Sequence, residues 1–217
     1  MYRKERQVKP RKYDSSRRRE QARETRRAIL DAAQDLFLER GYVETTMAAV
    51  ADAATVSVET IYKAFANKAG LIKAVFDVAI VGDDEPIPML ERDLVRRIRA
   101  EPDPRRQLRI YGEHLAGAGP RTSALQLLVR GAAVSDREAA RMWDQMLAER
   151  LTGTTHFARA LRDEGNLHPD ISFEEARDVL WTYNSVELYD LLVMQRGWTD
   201  ERYGRFIADA LIAALLP

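Results

Sequence analysis

The sequence predicts an all-α protein. Apolar residues recur at helical spacing along most of the chain, as Ile29, Leu30, Ala33, Leu36 and Phe37 do. Start and stop signals punctuate these stretches. Gly41 and Gly82 follow apolar runs, and Ser135 to Glu138 and Ser172 to Glu175 both read as capping boxes. No segment shows the alternation of a half-buried strand, and there is no internal repeat. With 217 residues, 46% of them hydrophobic, the chain can bury a core in one large domain or two small ones.

Residues 1–22 are polar and basic and carry no apolar stripe, so they are expected to form a largely disordered arm, helical toward its end. From Glu24 a helical stripe begins, and Gly41 stops it. A short helix over Met47 to Ala53 follows, with the Thr46 hydroxyl placed to cap it. Ala54-Thr55-Val56 is a turn. A second short helix runs from Ser57 to about Phe65, with Val58, Ile61 and Phe65 on one face and Glu59, Thr60 and Lys63 on the other. Tyr62 lies near the edge. Short helices do not stand alone, so this pair must lean on neighbours and leave a polar face free. That is a helix-turn-helix, over about residues 45–64, whose second helix suits a DNA major groove. Asn67 caps a further helix carrying Leu71, Ile72, Val75, Phe76 and Ala79.

The stretch Gly82-Asp83-Asp84-Glu85-Pro86 marks a boundary, giving a DNA-binding unit over 23–82 and a second helical unit over 83–217. In the second unit, helices are expected over Met89 to Ala100 and from Arg105 to about Ala116. Another would start at Pro120, and a long one would run from the Ser135 box to Arg162. Phe173 to Gln195 reads as one continuous helix, apolar on more than one face. Thr199 caps a last, richly apolar helix.

Net charge is zero, but it is unevenly spread. Residues 1–80 hold 16 Lys/Arg against 11 Asp/Glu, and residues 1–27 hold 12 against 4. The basic half is the half with the helix-turn-helix, as an electrostatic footprint on phosphate requires. There is no cysteine, so no disulfide framework, thiolate metal site or cysteine nucleophile. The N-terminus lacks the apolar region of a signal peptide, and no run approaches the roughly 20 apolar residues of a membrane span. His114, His156 and His168 are scattered, and no catalytic or metal motif appears. The sequence therefore gives no catalytic residue, metal or cofactor. A cytoplasmic location is expected.

From Thr25 to Ile72 the chain resembles the N-terminal domain of the TetR family of transcriptional repressors. The matching pieces are the helix ending in Gly41-Tyr42, then Thr45-Thr46, Val56-Ser57, Ile61-Tyr62, Phe65, Lys68 and Leu71. One departure is Thr55, where the family usually has glycine. A β-branched residue is poor at positive φ, so a slightly different turn is expected there. The resemblance implies a homodimeric regulator of a double-stranded DNA operator, with a small-molecule effector and a C-terminal domain for ligand binding and dimerisation. By motif match, Thr46, Tyr62 and Lys68 would hold phosphates, with Ser57, Val58, Glu59, Thr60 and Lys63 nearer the bases. Arg17, Arg18, Arg19 and Arg23 would reach adjacent phosphates or the minor groove. Glu59 reads equally as a surface carboxylate, and Lys68 also reads as a plain surface lysine.

Candidate pocket residues are Tyr111, His114, Leu128, Met142, Trp143, Met146, Trp181, Tyr183 and Asn184, a set that describes an ordinary core equally well. Almost no charge appears among them, so the expected effector is an uncharged or weakly charged hydrophobic compound. Leu188, Leu191, Leu192, Phe206, Leu211 and Leu215 are the candidate dimer contacts, because the last two helices offer more apolar surface than one small core can use. The competing readings are a constitutive DNA-binding protein without effector, and an enzyme domain fused to a DNA-binding domain.

Overall fold

The computed structural model describes residues 15–85 and 87–217. Among them the chain is helical, with no strand. Most of the arm expected over residues 1–22 lies outside the described residues, but its end does not. Helix α1, Ser15–Glu44, already begins there, so residues 15–22 are helix rather than coil. Its backbone leaves helical geometry at Gly41, at φ 80° and ψ 173°.

Helices α2 (Met47–Ala53), α3 (Val58–Phe65) and α4 (Lys68–Val81) follow. Thr46 and Asn67 cap α2 and α4 as the sequence predicts, and Ser57, expected as the first residue of its helix, caps α3. The side-chain oxygens of Thr46, Ser57 and Asn67 accept from the backbone N–H groups of Ala49, Thr60 and Gly70 respectively. In the turn between α2 and α3, Thr55 takes φ +56°. Backbone N–H groups at Thr55 and Val56 still donate to the carbonyls of Asp52 and Ala51, at 3.2 and 3.0 Å. Thr55 thus adopts a left-handed conformation that costs an L-residue about 1–2 kcal/mol.

The second unit departs from the expected boundaries in four places. A 3₁₀ turn at Met89–Glu91 precedes α5, Asp93–Ala100, instead of one helix. Helix α6 is continuous over Pro104–Ala132, so Gly117 and Gly119 do not end a helix and Pro120 does not start one. Proline interrupts the intrahelical ladder. Here the carbonyl that loses its donor is that of Ala116, while the next two carry side-chain donors as well: Arg121 Nη1 donates to Gly117 O at 2.6 Å, and Thr122 Oγ1 to Ala118 O at 3.0 Å. Helix α7, Arg137–Asp163, is capped by Asp136 rather than by Ser135, because the Asp136 carboxylate accepts from two N–H groups at once. The expected helix Phe173 to Gln195 is broken. It consists of α8 (Phe173–Tyr183), α9 (Val186–Tyr189) and a π-helical turn over Asp190–Gln195, separated at Asn184 and Ser185. The Ser172–Glu175 capping box is formed in full. Helix α10, Asp200–Leu215, closes the chain under Thr199.

Two apolar cores result. The first holds Phe37, Val50, Ile61, Leu71 and Ile72, and also Leu125, Val129, Ala139 and Met142 from the second unit. The boundary drawn at residue 82 therefore separates segments of chain but not cores. Arg121 of α6 reinforces the join by donating from Nε to Ala79 O at the end of α4, at 2.9 Å. The second core gathers Leu108, Leu161, Leu180, Tyr203, Ile207, Leu211 and Leu215. At its centre α6 and α10 cross so closely that a Cβ on Gly112 would stand 2.5 Å from Gly204 O.

This close crossing corrects the expected dimer surface. Leu211 and Leu215 have no exposed area, because α10 spends them on α6 within the same chain. Leu188 and Leu192 are half-buried against the same core. Leu191 and Phe206 remain exposed.

Candidate nucleic-acid interface and effector cavity

The helix-turn-helix divides its side chains by face. Ile61 and Phe65 are buried and Val58 is half-buried, whereas Ser57, Glu59, Thr60, Tyr62 and Lys63 are exposed. The Ser57 and Thr60 hydroxyls lie 2.8 Å apart, so each orients the other at the start of α3. Thr46, at the start of α2, is also exposed. Its oxygen accepts the cap hydrogen bond, and its hydroxyl hydrogen remains a donor.

The frame beneath this face is held by polar contacts to backbone. Buried Thr45 donates through Oγ1 to Gly41 O and Leu36 O, fixing the end of α1. Lys68 is half-buried. Its Nζ donates to Tyr42 O at 2.8 Å and Val43 O at 3.1 Å, and it sits 4.5 Å from the centre of the Tyr42 ring. A cation at the first turn of α4 opposes the helix dipole. Two carbonyls of α1 and an aromatic face explain it without a phosphate. Two of its three donors are engaged, so one donor remains for any phosphate. The Tyr42 hydroxyl is buried without a hydrogen-bond partner, and burial, with Asp136 and Glu138 nearby, pushes it up to about 12.

Spacing gave no sign of two arginine contacts on α1. Arg26 lies over the Phe65 ring at 4.7 Å and donates from Nε to Asp84 at 2.7 Å. Arg23, expected to reach DNA, pairs with Glu85 at 3.8 Å, with both side chains largely exposed. The acidic stretch after α4 thus faces the basic helix.

Between α4, α5, α6 and α7 lies a cavity of about 940 Å³. It brings together Tyr111, His114, Trp143, Met146 and Asn184 of the expected set. Four others do not line it. Leu128 and Met142 pack into the first core, Tyr183 into the second, and Trp181 lies under the Arg150 guanidinium at 4.3 Å. Helical periodicity alone does not tell which of two cores an apolar face meets. Burial, with the charge of Arg121, pushes the His114 imidazole down to about 4, so it is neutral at pH 7. Burial raises the Tyr111 phenol above its usual range.

The cavity also contains charges absent from the expected set, six carboxylates and Arg92, Arg99, Arg150 and Arg159. Arg150 is half-buried in its wall, which corrects the expectation of a nearly uncharged site. Its signal was in the sequence. Arg150 continues the series Trp143, Met146, Leu147 at helical spacing, and so points the same way as they do.

A family model described as bacterial regulatory proteins, tetR family, matches residues 29–75. The HTH-type transcriptional regulator TtgR of Pseudomonas putida is 44% identical over 61 residues, which are 28% of this chain and 29% of that protein. The match thus spans less than a third of that relative. Two solved structures are alike over nearly their whole length. The fatty acid degradation regulator FadR from Bacillus halodurans has a TM-score of 0.66 at 20% identity, covering 86% of this chain and 97% of that one. FadR from Bacillus subtilis, solved in complex with stearoyl-CoA, has a TM-score of 0.68 at 19% identity, again covering 86% and 97%. At these identities the likeness shows a shared fold.

Proposed function

We propose, from the match of residues 29–75 to the tetR family model, that this chain is a sequence-specific, DNA-binding transcriptional repressor of the TetR type, released by a small hydrophobic effector. The observation that carries this reading is the division of α3, with Ile61 and Phe65 buried while Ser57, Glu59, Thr60, Tyr62 and Lys63 stand exposed on one short helix. Such a helix enters a major groove with its framework already fixed. Tyr62, Thr46 and the remaining donor of Lys68 serve phosphates, which set affinity and register. Thr60 and Glu59 face base edges, which set sequence choice.

The protein works as a cytoplasmic homodimer, so that two copies of α3 read two half-sites. Leu191 and Phe206 belong to the face that meets the partner. The effector occupies the cavity between α4 and α7. Because α4 shares a core with α6 and α7, a ligand that shifts those helices shifts α4 and the helix-turn-helix with it. That is a coupling between two sites through one packed element.

Selection of bound DNA from a random pool tests the reading. The expected product is a two-fold symmetric site. Its affinity should fall by roughly 10³–10⁵ between 50 and 200 mM salt, for about 6–10 phosphate contacts. A pool that never converges, or binding indifferent to salt, overturns the proposal.

A further inference from the structure

The cavity carries a charge imbalance that bears on the effector. Six carboxylates line it, and each already has a cationic partner on the protein. Asp77 and Glu149 share Lys73, Asp83 is held by Arg92, Asp84 by Arg26, Glu85 by Arg23 and Asp163 by Arg162. Of the lining arginines, Arg99, Arg150 and Arg159 have no carboxylate within ion-pair distance among the described residues. Arg99 and Arg159 are exposed to solvent, which screens them. Arg150 is not.

Arg150 occupies the middle of the cavity-facing stripe of α7. Trp143, Met146 and Leu147 lie on one side of it and Thr154 and Phe157 on the other. Its Nε is buried with no hydrogen-bond partner, and only a long contact of 3.4 Å joins Nη1 to Asn184 O. Trp181 backs the guanidinium at 4.3 Å and so fixes its plane. Glu187 influences it electrostatically but lies beyond ion-pair distance and does not line the cavity; its Oε1 pairs with Arg130 at 3.1 Å, while its Oε2 is buried with no hydrogen-bond partner. A guanidinium is always charged and presents donors in a fixed fork suited to a carboxylate. Left unanswered in an apolar wall, an N–H donor of this kind is costly.

The geometry points to an amphiphilic monocarboxylate as the effector: an apolar body lying along Trp143, Met146 and Phe157, with its carboxylate on Arg150. This rests on the proposed function and narrows it to one ligand class, replacing the neutral compound that the apolar residues alone suggest.

Three probes with the same decyl chain separate the head groups: decanoate, decanol and decylammonium. Binding to the full-length protein is read by tryptophan fluorescence and by thermal shift, and release of the selected DNA is read alongside. Decanoate should bind about 10- to 100-fold more tightly than decanol, the range expected of a hydrogen-bonded charge partner, and decylammonium more weakly still. Arg150→Met should abolish the preference for decanoate over decanol, and Arg150→Lys should keep part of it. A thermal melt establishes that each variant is folded. If Arg150→Met is unfolded, the head-group order in the wild type and in Arg150→Lys still decides the matter. Equal affinity for decanoate and decanol, a preference surviving in folded Arg150→Met, or no binding of any probe overturns the monocarboxylate assignment. Those results leave DNA recognition standing. Failure of the wild type to select a DNA site overturns the proposed function instead.

Discussion

The helix-turn-helix and the cavity differ in how far apart along the chain their working residues lie. Thr46 to Lys68 forms one short stretch in which every cap, turn and buried face follows from local spacing. The cavity takes Phe76 from α4, Tyr111 and His114 from α6, Trp143 to Phe157 from α7, and Asn184 and Tyr203 from still later segments. In the first region a side chain's role is set by the residues three and four positions away. In the second it is set by which helix lies opposite, and neighbouring positions on one helix can have opposite fates. Met142 is core while Trp143 lines the cavity.

The largest expected effect sharpens this contrast within the apolar C-terminus. Leu211 is fully buried and Leu191 is half exposed, although both lie in apolar runs. Leu211→Asp strands an unpaired charge in the core and should cost more than about 4 kcal/mol, enough to prevent folding. Leu191→Asp should stay folded within about 0.5 kcal/mol and sediment as a monomer if that face meets the partner. Circular dichroism and sedimentation on both variants check this. A folded, monomeric Leu211→Asp would restore the interfacial role first expected of that residue.

The next effect probes the crossing of α6 and α10. Gly112→Ala places a Cβ 2.5 Å from Gly204 O, where only movement of one helix makes room. Overpacking of this kind costs about 1–3 kcal/mol, which lowers Tm by roughly 2–4 °C per kcal/mol in a chain of this size. Because Tyr111 and His114 flank the position on α6, effector affinity should fall with it. An unchanged Tm would mean that the helices are further apart than described.

Lys68 and Tyr62 test whether the framework and the DNA face are separable. Lys68→Ala removes two charged hydrogen bonds to the end of α1 and should lower stability by about 1–3 kcal/mol. Tyr62→Phe should leave the melt within about 0.5 kcal/mol while weakening DNA binding to every sequence alike. If Lys68→Ala melts like the wild type but loses DNA affinity, its role is contact with phosphate rather than support of α1.

The smallest effect concerns the turn. Thr55 holds φ +56°, a strain that glycine does not carry. Glycine also loses more freedom on folding, by about 0.4–1 kcal/mol, so Thr55→Gly should gain only about 0.5 kcal/mol net of the 1–2 kcal/mol of strain. A lower melting temperature for Thr55→Gly would show that the threonine side chain makes a contribution of its own.

The sequence by itself determined the all-helical class, the glycine stops after α1 and α4, the extents of α2 and α3, and the division of α3 into a buried and a polar face. Those features are local: a cap needs an oxygen beside an orphan N–H, and a face needs only the helical period. It also carried Arg150 in the same register as Trp143 and Met146, though nothing local marks an arginine on such a stripe as facing a cavity. Only the tertiary structure decided the rest. Pro120 stays inside a helix whose other contacts, including the Arg121 side chain on Ala79 O of α4, run through it. Leu211 and Leu215 face inward because Gly112 and Gly204 let α10 approach α6. Lys68 lies at a helix start because the end of α1 packs there and offers it two carbonyls. Each of these depends on a partner distant in sequence, and helical periodicity gives the direction of a side chain without saying what lies in that direction.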